Sequence, residues 1–262
     1  MTVLVGADPE FFLKKGNQYV SAHNVVPGSK LYPYDLLQGA VQADGTAVEF
    51  NITPAISSDQ FVSHIDRTLA QIRAIVPREL EFDFQPSVLY PQEYFDSLPQ
   101  NSKDLGCDPD YDAYTGRPNP RPVNPAFPTL RTGAGHIHIG WTKDADPLSK
   151  SHMWDCCQLV KLFDGYFPLA AKVWDKDNLR KSLYGRSGAF RPKPYGLEYR
   201  VLSNAWVKYP KLWPWIFDSA QYLFKFCQNG RHAEYVLGYN NMADILKHKY
   251  PKSPPFPLDA VG

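Results

Sequence analysis

A chain of 262 residues with 44% hydrophobic, 21% charged and 14% aromatic residues is long enough for one substantial core and too apolar to be disordered. A formal net charge of +1 gives no electrostatic case for nucleic acid or a membrane surface as a partner. No apolar run reaches the roughly 18 residues that a membrane helix needs, so no membrane partner is expected.

The chain begins "MTVLVGADPEFF". No basic segment precedes a long apolar stretch, so a cytoplasmic protein without a leader is expected. "TVLVG" reads as a strand, and Asp8 and Glu10, two apart, share a face if it continues. In "DGTAVEFNI", Asp44 sits in a turn. Glu49 and Asn51 then share one strand face, with Val48 and Phe50 on the other. "SSDQFVSHIDRTLAQIRAIV" places Phe61, Val62, Ile65, Leu69, Ile72 and Ile75 at helical spacing behind a capping serine or aspartate. "EFDFQPSVL" is strand-like.

From Leu98 to Leu130 the chain holds seven of its 24 prolines and resists regular structure. A stretch this long with aromatics and a cysteine reads as an ordered excursion near a site. It leads into "HIHIGW", where His136 and His138 share one face and Ile137 and Ile139 the other. A second helix is expected in "SKSHMWDCCQLVKLFDGYF". A basic, glycine-containing run follows, "LRKSLYGRSGAFRPKPYG", with Arg180, Lys181, Arg186, Arg191 and Lys193. It runs into "GLEYRVLS", a strand with Glu198 and Arg200 on one face. "KLWPWIFDSAQYLFKFCQ" and, more weakly, "RHAEYVLGYNNMADILKHK" read as further helices. Strands and helices do not alternate strictly, which favours α+β with an antiparallel or mixed sheet. With no internal repeat, residues 1–262 read as a single catalytic domain. The four cysteines have no zinc or disulfide spacing and read as reduced thiols.

Four strand-like segments thus repeat one arrangement: polar or charged at i and i+2, apolar between. Singly, each is commonly a turn, a packed pair or a solvated face. Together they predict one sheet face that gathers Asp8, Glu10, Asp44, Glu49 and Glu198 with His136, His138 and Arg200. So many carboxylates repel unless cations lie among them. Oxygen-rich ligation with few nitrogens and no thiolate points to magnesium or manganese, and such ions lean on substrate phosphates. Arg180, Arg186, Arg191 and Lys193 are the candidate phosphate contacts. Asn51, Asp110 and Arg117 are the candidate substrate contacts, the last two with Asp108 from the excursion. The remaining histidines read as structural or surface residues, and Trp206, Trp213 and Trp215 as core.

The order of a carboxylate pair, D-G-x-x-x-E-F-N, G-H-I-H-I-G and an arginine-rich stretch closing on E-Y-R resembles the glutamine synthetase and glutamate–cysteine ligase superfamily. The stretches "GCDPDYDAYTGRPN" and "YGRSGAFRPKPYGLEYRVLSN" look closest to its phage-type carboxylate–amine ligases, and the resemblance covers roughly residues 5 to 206. It implies a curved, mainly antiparallel sheet with helices packed on one face and the active site on the other. It also implies ATP with Mg2+ or Mn2+, and amide formation between a carboxylate and an amine through an acyl phosphate. Asp8 and Glu10 would stand where the family's first strand offers two glutamates, and Glu49 with Asp44 would match the second acidic strand. One of His136 and His138 would bind metal while the other reaches ATP phosphate or substrate. Glu198 would bind metal, and Arg200 would neutralise phosphate or the intermediate. Arg186 and Arg191 resemble the phosphate-gripping arginines. A phage origin would put the protein in the host cytoplasm. Oligomeric state is left open. A metal-dependent hydrolase and a catalytically silent metal- or nucleotide-binding module are the alternatives.

Overall fold

The computed structural model describes residues 3–103, 109–120, 127–228 and 256–257. Its centre is β1 (Leu4–Lys15), a strand of twelve residues. Val5, Ala7 and Phe11 are buried on one face, and Asp8 and Glu10 fall on the other, as a period of two requires. The chain continues through β2 (Gln18–Val20), β3 (Tyr34–Leu36), β4 (Gly39–Asp44) and β5 (Ala47–Ile52). The tight turn between the last two needs Gly45, whose φ is 58°. Helix α1 (Ser58–Ile75) follows, and the Ser57 hydroxyl caps it by accepting from the Gln60 N–H. Next come β6 (Glu81–Asp83), β7 (Ser87–Leu89), α2 (Gln92–Ser97) and α3 (Gln100–Lys103).

The proline-rich excursion thus begins with α3, against the expectation of no regular structure, and its residues 109–120 form a small hairpin of β8 (Tyr111–Asp112) and β9 (Arg117–Pro118). Then come β10 (Leu130–Thr132), β11 (Gly135–Gly140), α4 (Lys150–Asp164), α5 (Phe167–Ala171) and α6 (Leu179–Leu183). The hairpin of β12 (Ala189–Lys193) and β13 (Gly196–Tyr199) and the helix α7 (Leu212–Gln228) complete the described elements. The fourth helix expected from sequence, along with Cys107 and Asp108, lies outside the described residues.

Among the described residues eleven strands form one open sheet in the order β3-β4-β5-β1-β11-β13-β12-β8-β9, with β2 and β6 pairing to β1 off this path. Its ladders are antiparallel, so the architecture is mixed α and β around a large, mostly antiparallel sheet. Helices α1, α4 and α7 cover the apolar face. There Phe11, Val48, Phe50, Ile137, Ile139, Leu197 and Tyr199 pack with Phe61, Val160, Phe163, Trp206 and Ile216 in one core. Burying each such side chain stabilises the fold by roughly 1.5–3 kcal/mol. His152, on α4, reaches the Lys193 and Gly196 carbonyls at 3.0 Å each and so holds the β12–β13 turn from behind. A second, smaller cluster of Phe12, Ala47, Val88, Tyr90 and Phe95 lies on the polar side of β1, just past Glu10. It closes that end of the polar row.

Candidate functional site

Register brings the polar residues together. Asp8 stands opposite His136, Glu10 opposite Glu49, Glu49 opposite Gln42, and Glu198 between His138 and Arg191. Antiparallel partners share a face, so these side chains form a band across six strands. Gly135 lets β11 take its place in that band. A Cβ there would lie 2.3 Å from the Ser203 carbonyl oxygen and 2.4 Å from Trp206 Nε1.

At the β4–β5 end, ligand atoms of Glu10, Asp44 and Glu49 lie within 4.8 Å of one another. Glu49 accepts from Gln42 Nε2 at 2.9 Å, and Glu10 from the Ala134 N–H at 2.8 Å. Two unit charges about 5 Å apart repel by roughly 3 kcal/mol at an effective dielectric of about 20. Burial, and then the charges of Asp44 and Asp8, push Glu10 up to about 8. Burial, and then Asp8, Asp44 and Glu10, push Glu49 well above the ordinary carboxylate range. A divalent cation would reverse both effects by favouring the charged forms.

The β11–β13–β12 end is balanced differently. Glu198, only 1% exposed, receives Arg191 at 3.0 Å, Lys193 at 3.0 Å and Arg200, and its Oε1 lies 3.4 Å from His136 Nδ1. Asp8 Oδ1 is approached by His138 Nε2 at 2.9 Å and His136 Nδ1 at 3.3 Å. Burial alone would raise Asp8, but the charges of His138 and then His136 outweigh it and hold the carboxyl well below its usual range. Burial, reinforced by the Arg200 charge, lowers His136 to about 4, so its ring is neutral at pH 7. Burial would lower His138 too, but Asp8 outweighs it and the ring is raised. Asp8, His138 and Glu198 bring ligand atoms within 4.8 Å of one another, and His136 joins them through Nδ1. Carboxylate oxygens, imidazole nitrogens and no thiolate make a donor set that fits magnesium or manganese at both ends.

Two cavities flank the band, and Asp8 and Glu49 line both. The inner one, about 140 Å³, is walled by Phe12, Lys30, Arg131, Tyr184, Arg191 and Arg200 among others. The outer one, about 410 Å³, is walled by Leu4, Gly6, Asn51, Pro54, His138 and Tyr195 among others, with no lysine or arginine in its lining.

The remaining sequence candidates separate. Arg180 is corrected: it does not face a ligand. It is 1% exposed and donates to the carbonyls of Gly133, Val201 and Leu202 at 2.9–3.0 Å. It thus ties the start of β11 to the end of β13. Arg186 is exposed and lines neither cavity, and Arg117 is exposed on β9 at the sheet edge. Asp110 accepts from Arg200 Nε at 3.2 Å, which makes it a holder of that arginine. Asn51 lines the outer cavity.

The sequence reading missed Gln42, Lys30 and two tyrosines. The Tyr184 hydroxyl lies 3.2 Å from His136 Nε2, and the Tyr195 hydroxyl 2.5 Å from His138 Nδ1. The Arg200 guanidinium lies over the Tyr184 ring at 5.2 Å. Tyrosine in "SLYGRSG" and "KPYGLE" has no partner at strand or helix spacing, so no sequence signal marks it. No helix among the described residues is long and apolar enough to cross a membrane. Comparison with models of known protein families and with curated proteins found no match.

Proposed function

We propose that the protein is an ATP-dependent ligase of the cytoplasm that joins a carboxylate to an amine, on a sheet of the glutamine synthetase catalytic type. The observation that carries the reading is the split polar band. One end holds three close carboxylates, two of them met by neutral donors, and the other a buried carboxylate ringed by Arg191, Lys193 and Arg200. Glu10, Asp44 and Glu49 would hold one Mg2+ or Mn2+, and Asp8, Glu198 and the histidines another. Such ions supply charge neutralisation for phosphate oxygens.

The outer cavity, which has no lysine or arginine in its lining, suits a base and ribose, with Asp8, Glu49 and His138 on its wall. Arg191, which lines the inner cavity, meets the phosphates as they pass Asp8 and Glu49 into it, with Lys193 beside it on Glu198. In the inner cavity Lys30, Arg131, Arg191 and Arg200 lie among the carboxylates, and Arg200 orients the carboxylate substrate there. A carboxylate oxygen attacks the γ-phosphorus, the bond to the bridging oxygen breaks, and ADP leaves. The amine nitrogen then attacks the acyl carbon, the carbon–oxygen bond to phosphate breaks, and inorganic phosphate leaves. Glu49, which faces both cavities, accepts the proton that the amine gives up. Arg200 and its neighbours offset the charge that develops on the acyl oxygen. Enclosure between α6, β10 and the Phe12 cluster keeps water from the acyl phosphate.

The test is ADP release with Mg2+, ATP, hydroxylamine as a general amine and a panel of amino and dicarboxylic acids, with hydroxamate as second readout. The ligase reading requires ADP and hydroxamate in equal amounts, both dependent on one of the acids. ADP or phosphate release that ignores acid and amine would favour a metal-dependent hydrolase. Nucleotide binding with no turnover would favour a silent binding module.

A further inference from the structure

The histidines of the band meet tyrosines in one repeated way. His136 turns Nδ1 to the carboxylates of Asp8 and Glu198 and Nε2 to the Tyr184 hydroxyl. His138 turns Nε2 to Asp8 and Nδ1 to the Tyr195 hydroxyl. The atom names are exchanged but the arrangement is the same: inner nitrogen on Asp8, outer nitrogen on a phenol. Neither contact is ring stacking. The ring centroids are 5.9 and 6.1 Å apart and the planes are tilted by 43° and 37°, so contact runs through the hydroxyls. The tyrosines also flank β12. Tyr184 lies just before it, and Tyr195 in the turn after it.

A histidine nitrogen that takes a metal offers a lone pair, so the ring proton must sit on the other nitrogen. A group that holds that outer proton selects the ligating tautomer and fixes the ring plane. A carboxylate there would also hold that proton and raise the ring's basicity, but it could not donate to a bare nitrogen. A phenol is neutral at pH 7. It accepts an N–H when an ion is bound and donates to a bare nitrogen when it is not. Tyrosine therefore serves both states of the ring.

We propose that Tyr184 and Tyr195 are positioning residues that hold the ring protons of His136 and His138 on their outer nitrogens, leaving Nδ1 of His136 and Nε2 of His138 to ligate a divalent ion beside Asp8. The proposal rests on the metal reading above and adds the groups that orient the ligands. It assigns both histidines to the same ion, where sequence reasoning divided them between metal and phosphate. It also gives the inner and outer cavities one orienting tyrosine each.

The test compares wild type with Tyr184→Phe and Tyr195→Phe, which keep the ring and remove only the hydroxyl. Free Mn2+ is titrated by electron paramagnetic resonance, with thermal melts of the metal-free proteins as a control on folding. Loss of such an outer partner typically weakens metal affinity about 10–100-fold, and that loss is expected in each variant with its melt little changed. A second readout is nitrogen-15 NMR of histidine-labelled protein with Mg2+. Wild type should show the Nε2–H tautomer for His136 and the Nδ1–H tautomer for His138, and each variant should lose this at its own histidine. Variants that bind Mn2+ within about twofold of wild type, with both tautomers unchanged, overturn the proposal and leave the metal reading intact. A wild type that binds no Mn2+ overturns both.

Discussion

The two ends of the polar band hold similar numbers of carboxylates near one another but balance them in opposite ways. At the β4–β5 end Glu10 and Glu49 are met by neutral donors, and their pKa values rise. At the β11–β13–β12 end Glu198 is met by two arginines and a lysine, and Asp8 by two histidines. On the proposed reading a divalent cation offsets the charge of the first end. On the same reading the second end, already ringed by cationic side chains, takes its ion at Asp8, Glu198 and the histidines and turns part of its cationic shell to an anion. A metal-bound phosphate ester needs both kinds of surface side by side, which is why the contrast says more than either cluster alone.

The largest effect should come from breaking the balanced end. Removing one partner from a buried ion network costs about 3–5 kcal/mol, because charges stay buried without compensation. Glu198→Ala should show that loss in chemical denaturation. Glu49→Gln, at the other end, removes a carboxyl whose ionisation its neighbours oppose and should not lower the melting temperature of the metal-free protein. Destabilisation of similar size in both variants would remove the contrast.

The arginines sharpen it next. Arg191→Ala removes charge-assisted hydrogen bonds to phosphate, worth roughly 1.5–3 kcal/mol, and should weaken Mg-ATP binding in calorimetry by that amount. Arg186→Ala, at an exposed position outside both cavities, should change neither affinity nor stability by more than about 0.5 kcal/mol.

The acidic end also predicts a pH dependence. Glu10 is raised from 4.5 to about 8, so the folded protein binds more protons than the unfolded chain between those values. Its contribution to metal-free stability is therefore full below about pH 4.5 and lost as pH rises through 8. Asp8 works in the opposite sense, but its lowered value places its change below pH 4, outside this window. Mg2+ should consequently raise the melting temperature more at pH 8 than at pH 6, by about 2–4 °C for each kcal/mol of linked proton release. Equal stabilisation at both pH values would separate the ion from Glu10.

The smallest effect is Asp110→Asn. Asp110 is one of two carboxylates that hold Arg200, which keeps its contact with Glu198 when Asp110 is changed. Folding should be unaffected, while a loosened Arg200 should raise KM for the carboxylate more than it lowers kcat. A change in kcat alone would place Asp110 at the reacting atoms instead.

Much of this was legible in the sequence for one physical reason. Alternation in β1, β5, β11 and β13 assigns each side chain to a face once the strands pair, and apolar neighbours decide which face is core. Helix periodicity placed α1, α4 and α7 within a few residues for the same kind of reason. What escaped was set by tertiary contact. An arginine in a basic run looks the same whether it meets phosphate or, as Arg180 does, three backbone carbonyls. The two tyrosines act through partners far along the chain, which no local spacing encodes, and Gln42 reaches Glu49 only through the register of the β4–β5 hairpin. The excursion was placed near the site, and Asp110 does reach Arg200, but Arg117 points to the sheet edge.

The account stands most directly on whether the acidic end takes a cation. Anomalous scattering from crystals soaked in Mn2+ measures this. The prediction is two peaks, one among Glu10, Asp44 and Glu49 and one among Asp8, His136, His138 and Glu198. No peak within ligand distance of Glu10, Asp44 and Glu49 would contradict it.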